Sequence, residues 1–348
     1  MKRFKPQHLV IALGVAIGLF TAVSGILPSI TDWHDDSPVK REVFENIPSA
    51  LKLAFYTLIP LLLVYGAVMF SLRVKNWQRG GPDNRKTTKD NAKRRFGDFR
   101  AGVYMQTLLR DPAAGVMHSL IYFSFLILLA VTTVLEINHQ VPESAKFLNG
   151  DVYRAYAFVG DAAGVVFLIG IGWAIVRRYI QRPYRIRIKS KPEHAVALGV
   201  FAVLGVTGFL AEGFRIALEG RPEFELWAFV GWALSDLFES SDTLSGWHQV
   251  WWIAHVVSFI AFLALLPITM LRHMFTSPMN MYLKDKDRPK GAMRPMPDLM
   301  ETELESFGAS TVEDFTWKQL LDLDACTMCG RCTSVCPAHA TGKPLDPR

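Results

Sequence analysis

Apolar residues gather along the chain in six blocks, near 9–28, 52–72, 114–136, 157–176, 194–217 and 249–272, and the charges fall mostly in the links between them. Each block reaches about 20 residues, the length an α-helix needs to cross roughly 30 Å of hydrocarbon. Apolar residues run continuously within a block and do not alternate with polar ones, so membrane helices are expected and a β-barrel is not. Pro60 in the second block and Pro267 in the sixth each lack a backbone donor and favour a kink. The pattern predicts an all-α polytopic membrane bundle of about six transmembrane helices.

The links differ in charge. Lys2, Arg3 and Lys5 precede the first block, and Arg73, Lys75, Arg79, Arg85, Lys86, Lys89, Lys93, Arg94, Arg95, Arg100 and Arg110 follow the second. Arg177, Arg178, Arg182, Arg185, Arg187, Lys189 and Lys191 follow the fourth. The link after the fifth block has Arg221 against Glu219, Glu223, Glu225, Asp236, Glu239 and Asp242. Basic residues remain inside. The N-terminus, both basic links and the C-terminal tail are therefore expected in the cytoplasm of a bacterial inner membrane. The first block also has the basic start and small residues of a signal peptide, but its apolar stretch is long for that role. The expected organisation is a first transmembrane helix and outer loop (1–50) and a five-helix domain (51–275). A cytoplasmic linker (276–312) and a terminal segment (313–348) with a short helix around 313–322 follow.

Composition adds little to this picture. The chain has 348 residues, 50% hydrophobic and 20% charged, with mean hydropathy +0.19 and net charge +6. Block structure excludes a single soluble domain, a disordered chain and a disulfide scaffold. The basic link 73–110 reads as a topology signal and a docking surface for a soluble partner. It has no reader motif of a nucleic-acid surface. No Gly-rich phosphate loop is present, which argues against a nucleotide site.

The chemistry concentrates at the end of the chain. All four cysteines fall in Cys326-Thr-Met-Cys329-Gly-Arg-Cys332-Thr-Ser-Val-Cys336-Pro337. C-x2-C-x2-C-x3-C-P is the bacterial ferredoxin spacing for a [4Fe–4S] cluster. Three thiolates on a tight loop reach three corners of one cubane, and Gly330 lets the backbone approach the inorganic sulfur. A zinc ribbon would need a second, separated C-x2-C hook. In two-cluster ferredoxins the fourth cysteine of such a run serves the other cluster. Because no second run follows, further ligands are expected from more sequence or from another iron–sulfur subunit, and the chain reads as C-terminally truncated or split.

Histidines supply a second candidate centre. On a continuous helix His255 and His273, 18 residues apart, leave the same face with a rise of roughly 27 Å. His118 and His139, 21 apart, rise roughly 31 Å about 60° out of phase. The two helices run antiparallel, so His118 comes level with His273 inside and His139 level with His255 outside. Two cross-helix pairs are what two bis-imidazole b-type haems need. His248 is an alternative to His255 as partner of His139, and His194 a competitor for the inner site. His8, His34 and His339 read as solvated side chains. Glu212 and Arg215 are spaced for an i,i+3 salt bridge, with a quinone or proton role as the functional alternative. The tryptophans at 227, 232, 247, 251 and 252 read as an interfacial belt.

Gly115-Val-Met-His118, Glu136-Ile-Asn-His139, Trp251-Trp-Ile-Ala-His255 with His273, and Trp317-Lys-Gln-Leu-Leu-Asp-Leu-Asp-Ala-Cys326 leading into Cys329, Cys332 and Cys336 together resemble a known family. It comprises membrane-bound iron–sulfur oxidoreductases that join a nitrate-reductase-γ-like cytochrome b domain to a heterodisulfide-reductase-like ferredoxin region. Electron-transfer flavoprotein:menaquinone oxidoreductases belong there. The His255/His273 spacing is similar to that of the γ-subunit haem helix, whereas His118 and His139 stand further apart than the γ-subunit partners. The resemblance implies electron transfer between a cytoplasmic donor such as electron-transfer flavoprotein, an iron–sulfur cluster, two haems b and menaquinone or another quinone in the lipid. Two alternatives use the same parts: a quinol-linked donor to a cytoplasmic heterodisulfide or sulfur-compound reductase, and a redox-sensing membrane scaffold.

Overall fold

The structure, a computed structural model, describes residues 39–83, 88–106, 108–238, 243–284, 298, 300–303, 308–344 and 347, together with residues 8, 11, 12, 14–16, 18 and 19. The first predicted span lies mostly outside these, as does much of the predicted linker, and His34 lies wholly outside. The residues described between 8 and 19 are helical.

In chain order the helices are α1 (Ser49–Trp77), α2 (Lys89–Val103), α3 (Pro112–Gln140), α4 (Gly150–Ile175), α5 (Tyr184–Arg187), α6 (Pro192–Leu218), α7 (Phe229–Ser235), α8 (Leu244–Leu265), α9 (His273–Tyr282), α10 (Trp317–Asp324), α11 (Arg331–Ser334) and α12 (Pro337–Ala340). Among the described residues α1, α3, α4 with its π-helical extension to Gln181, α6 and α8 are long and apolar enough to cross a membrane. The protein is a membrane protein with an all-helical bundle. Its core is formed by Ile59, Phe167, Ile171, Ala197, Phe201, Phe262, Leu263 and Leu271. Phe125 joins Phe167, Phe201 and Phe262 in edge and tilted ring contacts. Leu61, Leu129, Ile169, Val203 and Val257 project outward and exposed. Such a surface would be costly in water and is natural against lipid tails. Gly14 lies against Ala67 of α1, where a Cβ would clash with that of Ala67.

Two expectations about proline resolve differently. α1 continues through Pro60. The sixth predicted span, 249–272, is not one helix: α8 ends at Leu265, Thr269 is extended, and a 3-10 turn over Met270–Arg272 leads into α9. Pro267 cannot donate to the helical ladder, and its ring obstructs the preceding turn. Its carbonyl is taken up by Arg73 Nε at 2.9 Å. His255 and His273 thus stand on separate helices, and the expected five-turn register on one face does not apply.

The end of the bundle nearest the cysteine segment carries a second small core. Leu321 of α10, 1% exposed, packs with Val74 and Trp77 of α1, flanked by Phe70, Met279, Leu283, Trp317 and Leu320. Thr316 caps α10 in a reciprocal box with Gln319. The preceding residues pair with the end of α1: Gly81 N–H donates to Phe315 O (2.8 Å) and Trp317 N–H to Gly81 O (3.0 Å). α2, capped by Thr88, packs on α9, where Gly102 leaves room for Met281. The cysteine-bearing segment is therefore seated on the bundle.

Candidate functional site

His118 lies in the second turn of α3. Asp111 caps that helix through Ala114 N–H at 3.3 Å, Pro112 begins it, and Gly115 lets the turn before it come close, since a Cβ there would lie 2.6 Å from Leu109 Cα. Facing it is His273, first residue of α9. The ring centroids are 6.3 Å apart at an interplanar angle of 62°. Two imidazoles trans on one first-row metal, with metal–nitrogen bonds of about 2.0–2.1 Å, also put their ring centres roughly 6 Å apart. His273 Nδ1 is 2.7 Å from Met270 O. A carbonyl can only accept, so the proton sits on Nδ1 and Nε2 is bare. This is the support that metal-ligating histidines receive. Burial also pushes the His273 pKa down, against the pull of that hydrogen bond, favouring the neutral ring. His118 Nδ1 is buried without a hydrogen-bond partner. An orphaned imidazole nitrogen opposite a neutral, oriented imidazole fits an axial ligand pair.

At the other end of the bundle His255 of α8 repeats half of this arrangement. Its Nδ1 donates to Leu204 O of α6 at 3.1 Å, with Thr207 Oγ1 at 3.3 Å, leaving Nε2 bare. Gly208 gives it room, because a Cβ there would lie 3.2 Å from His255 Cε1. The expected partner is not brought against it. His139, in the last turn of α3, meets Phe44 edge-on at 5.4 Å, and Phe44 in turn meets Trp252 at 6.0 Å. Among the described residues His139 and His255 share no ring contact. Phe44 enters this gap from the segment before α1 with a left-handed backbone (φ 68°), strained for a bulky side chain. His248 is also buried, but its Nδ1 accepts from Asn46 Nδ2 at 3.2 Å. Asn46 is oriented by Ser245 O and Ser245 Oγ, so the His248 proton is kept on Nε2. His194, 2% exposed, places Nδ1 3.1 Å from the Lys191 N–H at the start of α6, and its Nε2 is buried without a partner.

The four cysteines follow α10, with Cys332 inside the short α11; all are unbridged, Cys326 and Cys336 half-buried and Cys329 and Cys332 exposed. Met328 (φ 52°) and Gly330 (φ 72°) curl the loop through the left-handed region, and Pro337 opens α12 just after Cys336. Among the described residues no three His, Cys, Asp or Glu side chains are already gathered as around a metal ion. The four thiols, their spacing and the curled backbone nevertheless match the donor set of an iron–sulfur cluster.

A feature missed from the sequence joins the two centres. Asp324, two residues before Cys326, accepts from Arg73 Nη1 (3.0 Å), Arg272 Nε (2.9 Å) and Trp77 Nε1 (3.2 Å). Arg272 is the neighbour of His273. The sequence offered Arg73 only as a topology signal and did not single out Arg272. Beyond the loop, Tyr184 Oη lies 2.9 Å from His339 Nε2, so His339 is not a free solvated ring.

Arg215 also has partners that its spacing did not reveal. It pairs with Glu219 (2.8 Å) and Glu225 (2.7 Å), and Tyr153 Oη donates to Glu225 at 2.7 Å. Glu212 instead shares a hydrogen bond with Asp161. Burial pushes the Glu225 carboxyl up, but the Arg215 charge and the hydrogen bonds from Arg215 and Tyr153 outweigh it and hold the pKa below its ordinary value.

Comparison with known proteins agrees with this layout. Residues 116–288 match the nitrate reductase gamma subunit family and 317–338 a 4Fe–4S binding domain. The first range includes His118, His139, His248, His255 and His273, and the second all four cysteines. The chain is 31% identical over 319 residues to the EtfAB:quinone oxidoreductase of Syntrophomonas wolfei, covering 88% of this chain and 43% of that protein. It is 31% identical over 251 residues to the probable iron-sulfur-binding oxidoreductase FadF of Bacillus subtilis, covering 69% and 34%. A 41-residue stretch is 58% identical to a probable membrane-anchored ferredoxin of Chromohalobacter salexigens, covering 12% of this chain and 6% of that one. The chain thus spans less than half the length of the curated relatives it matches. No solved structure matches it.

Proposed function

The chain belongs to the membrane iron–sulfur oxidoreductases that join a nitrate reductase gamma domain to a 4Fe–4S motif, and from that premise we propose that it moves electrons between a soluble cytoplasmic donor and the quinone pool. In this reading Cys326, Cys329, Cys332 and Cys336 hold a [4Fe–4S] cluster, with further iron–sulfur ligands open to another subunit. His118 and His273 hold an inner haem b. His255 serves an outer haem, with His139 as its partner at that level and His248 as the alternative. When bound, these groups supply one-electron chemistry.

The chain's own residues do the rest. The Met270 and Leu204 carbonyls fix the tautomers of His273 and His255. Phe125, Phe167, Phe201 and Phe262 fill the bundle between the two levels and keep it dry. Exposed Cys329 and Cys332, together with basic α2, provide the face for a soluble redox protein such as electron-transfer flavoprotein. The name of the Syntrophomonas relative supports that donor and a quinone acceptor. Six spans, with both termini cytoplasmic, complete the arrangement, and lipid supplies the quinone, menaquinone in a menaquinone-based membrane.

The observation that carries this reading is the His118/His273 pair at 6.3 Å beside a seated cysteine segment. A reduced-minus-oxidised spectrum tests it. The purified protein should show a b-type α band that weakens in His118→Ala and in His273→Ala. Absence of any haem band from the wild-type protein would overturn the reading.

A further inference from the structure

Arg73 and Arg272 stand on elements that the sequence separates by nearly 200 residues, yet both guanidiniums converge on one carboxylate. Asp324 Oδ1 receives Arg73 Nη1 and Arg272 Nε, while its Oδ2 receives the Trp77 indole. The side chains of Asp324, Arg272 and Arg73 are only 15%, 18% and 26% exposed. Arg73 also holds the carbonyl of Pro267 where α8 breaks off, and Arg272 holds Thr269 O at 2.7 Å. One carboxylate therefore ties together the end of α1, the 3-10 turn that presents His273, and the helix that leads into Cys326. Elsewhere on this segment Arg79 pairs with Glu313, and Lys318 binds Asp322 and reaches Asn280 two turns further along α9, whereas Asp324 engages the 3-10 turn that presents His273.

We propose that Asp324 is a positioning residue that locks the cysteine loop to the His273 turn, fixing the separation between the iron–sulfur ligands and the inner histidine pair. The proposal rests on the electron-transfer reading above. Electron transfer falls steeply with distance, so a loop that rocks on the bundle would slow it even with every cofactor ligand intact. Two guanidiniums brought together need an anion between them, and an uncharged isostere leaves them repelling. The same carboxylate offsets the positive charge next to His273, so its loss should raise the midpoint potential of a group held there.

The test compares detergent-purified wild type with Asp324→Asn and Asp324→Glu, each loaded with cluster and haem. Asp324→Asn should bind both in wild-type amounts. Its amides over 317–324 should exchange about tenfold faster. Haem reduction by a flavin donor acting through the cluster should slow by about tenfold or more. Its haem potential should rise, and Asp324→Glu should recover both rate and potential. Wild-type protection and rate in Asp324→Asn would overturn the proposal. Loss of the cluster with protection unchanged would overturn it too, by assigning Asp324 to loading. A wild-type protein without haem would defeat the electron-transfer reading instead. Amide exchange in the two variants would then still decide whether Asp324 holds the segment.

Discussion

Replacing Gly80 by alanine should lift the cysteine-bearing segment off the membrane bundle, while the same change at Gly81 should not. An ideal Cβ on Gly80 would stand 2.5 Å from Trp317 N, 2.7 Å from Thr316 C and 2.8 Å from Phe315 O, all backbone atoms that cannot swing aside. On Gly81 the nearest atoms, Glu313 O and Phe315 O, would be at 3.8 and 3.9 Å. Neither glycine has a left-handed backbone, so alanine brings no conformational penalty of its own at either site. Undocking would remove the two backbone hydrogen bonds between Gly81 and the 315–317 strand-like stretch, at about 1 kcal/mol each. It would also expose Leu321, at about 2 kcal/mol. A loss of about 4 kcal/mol corresponds to roughly a thousandfold shift in the docking equilibrium. Amide exchange over residues 315–324 reads this directly, with retention of the cluster as a second measurement. Equal protection in Gly80→Ala and Gly81→Ala would refute the geometry on which the docking rests.

Glu225→Ala should lower the thermal midpoint, because it removes the 2.7 Å partner of the buried Arg215 and leaves Glu219 as its remaining carboxylate; the cost should fall below about 3–5 kcal/mol, that of a fully broken buried pair, and a melt of the purified protein checks it. The Glu225 pKa is depressed by folding, so its contribution is complete above the unfolded value of about 4.3 and is lost as the pH falls through the lower folded value. Melting curves across that acid range should show this decline in wild type and a smaller one in Glu225→Gln. His255→Ala should leave the haem band assigned to His118 and His273 in place while removing any outer one, which a potentiometric titration of the α band resolves.

The bundle was legible in the sequence because a lipid-crossing helix announces itself by length and apolarity alone. The break at Pro267 was not, because counting residues from His255 to His273 assumes one continuous helix. His118 and His273 meet all the same, since each lies at the same end of its span. His139 and His255 were matched by the same reasoning, but Phe44 stands between His139 and the Trp252 face of α8, and an insertion from the segment before α1 leaves no periodic signal. The partners of Arg215 were hidden for a similar reason. Spacing on α6 suggested Glu212, yet Glu225 reaches it from the following turn. Asp324 was unreadable because its three donors come from distant parts of the chain and become a cluster only on folding.

The interruption after Leu265 divides mechanical responsibility within the chain. His255 belongs to the slab of helices embedded in lipid, whereas His273 rides on the short helix that follows the break. That short helix shares its anchorage with the terminal segment through Arg272 and Asp324. A load on the terminal segment would reach His273 and the end of α1 together through Asp324, and His255 only across the break. The inner histidine and the cysteine loop would move as one body, with Pro267 absorbing the difference.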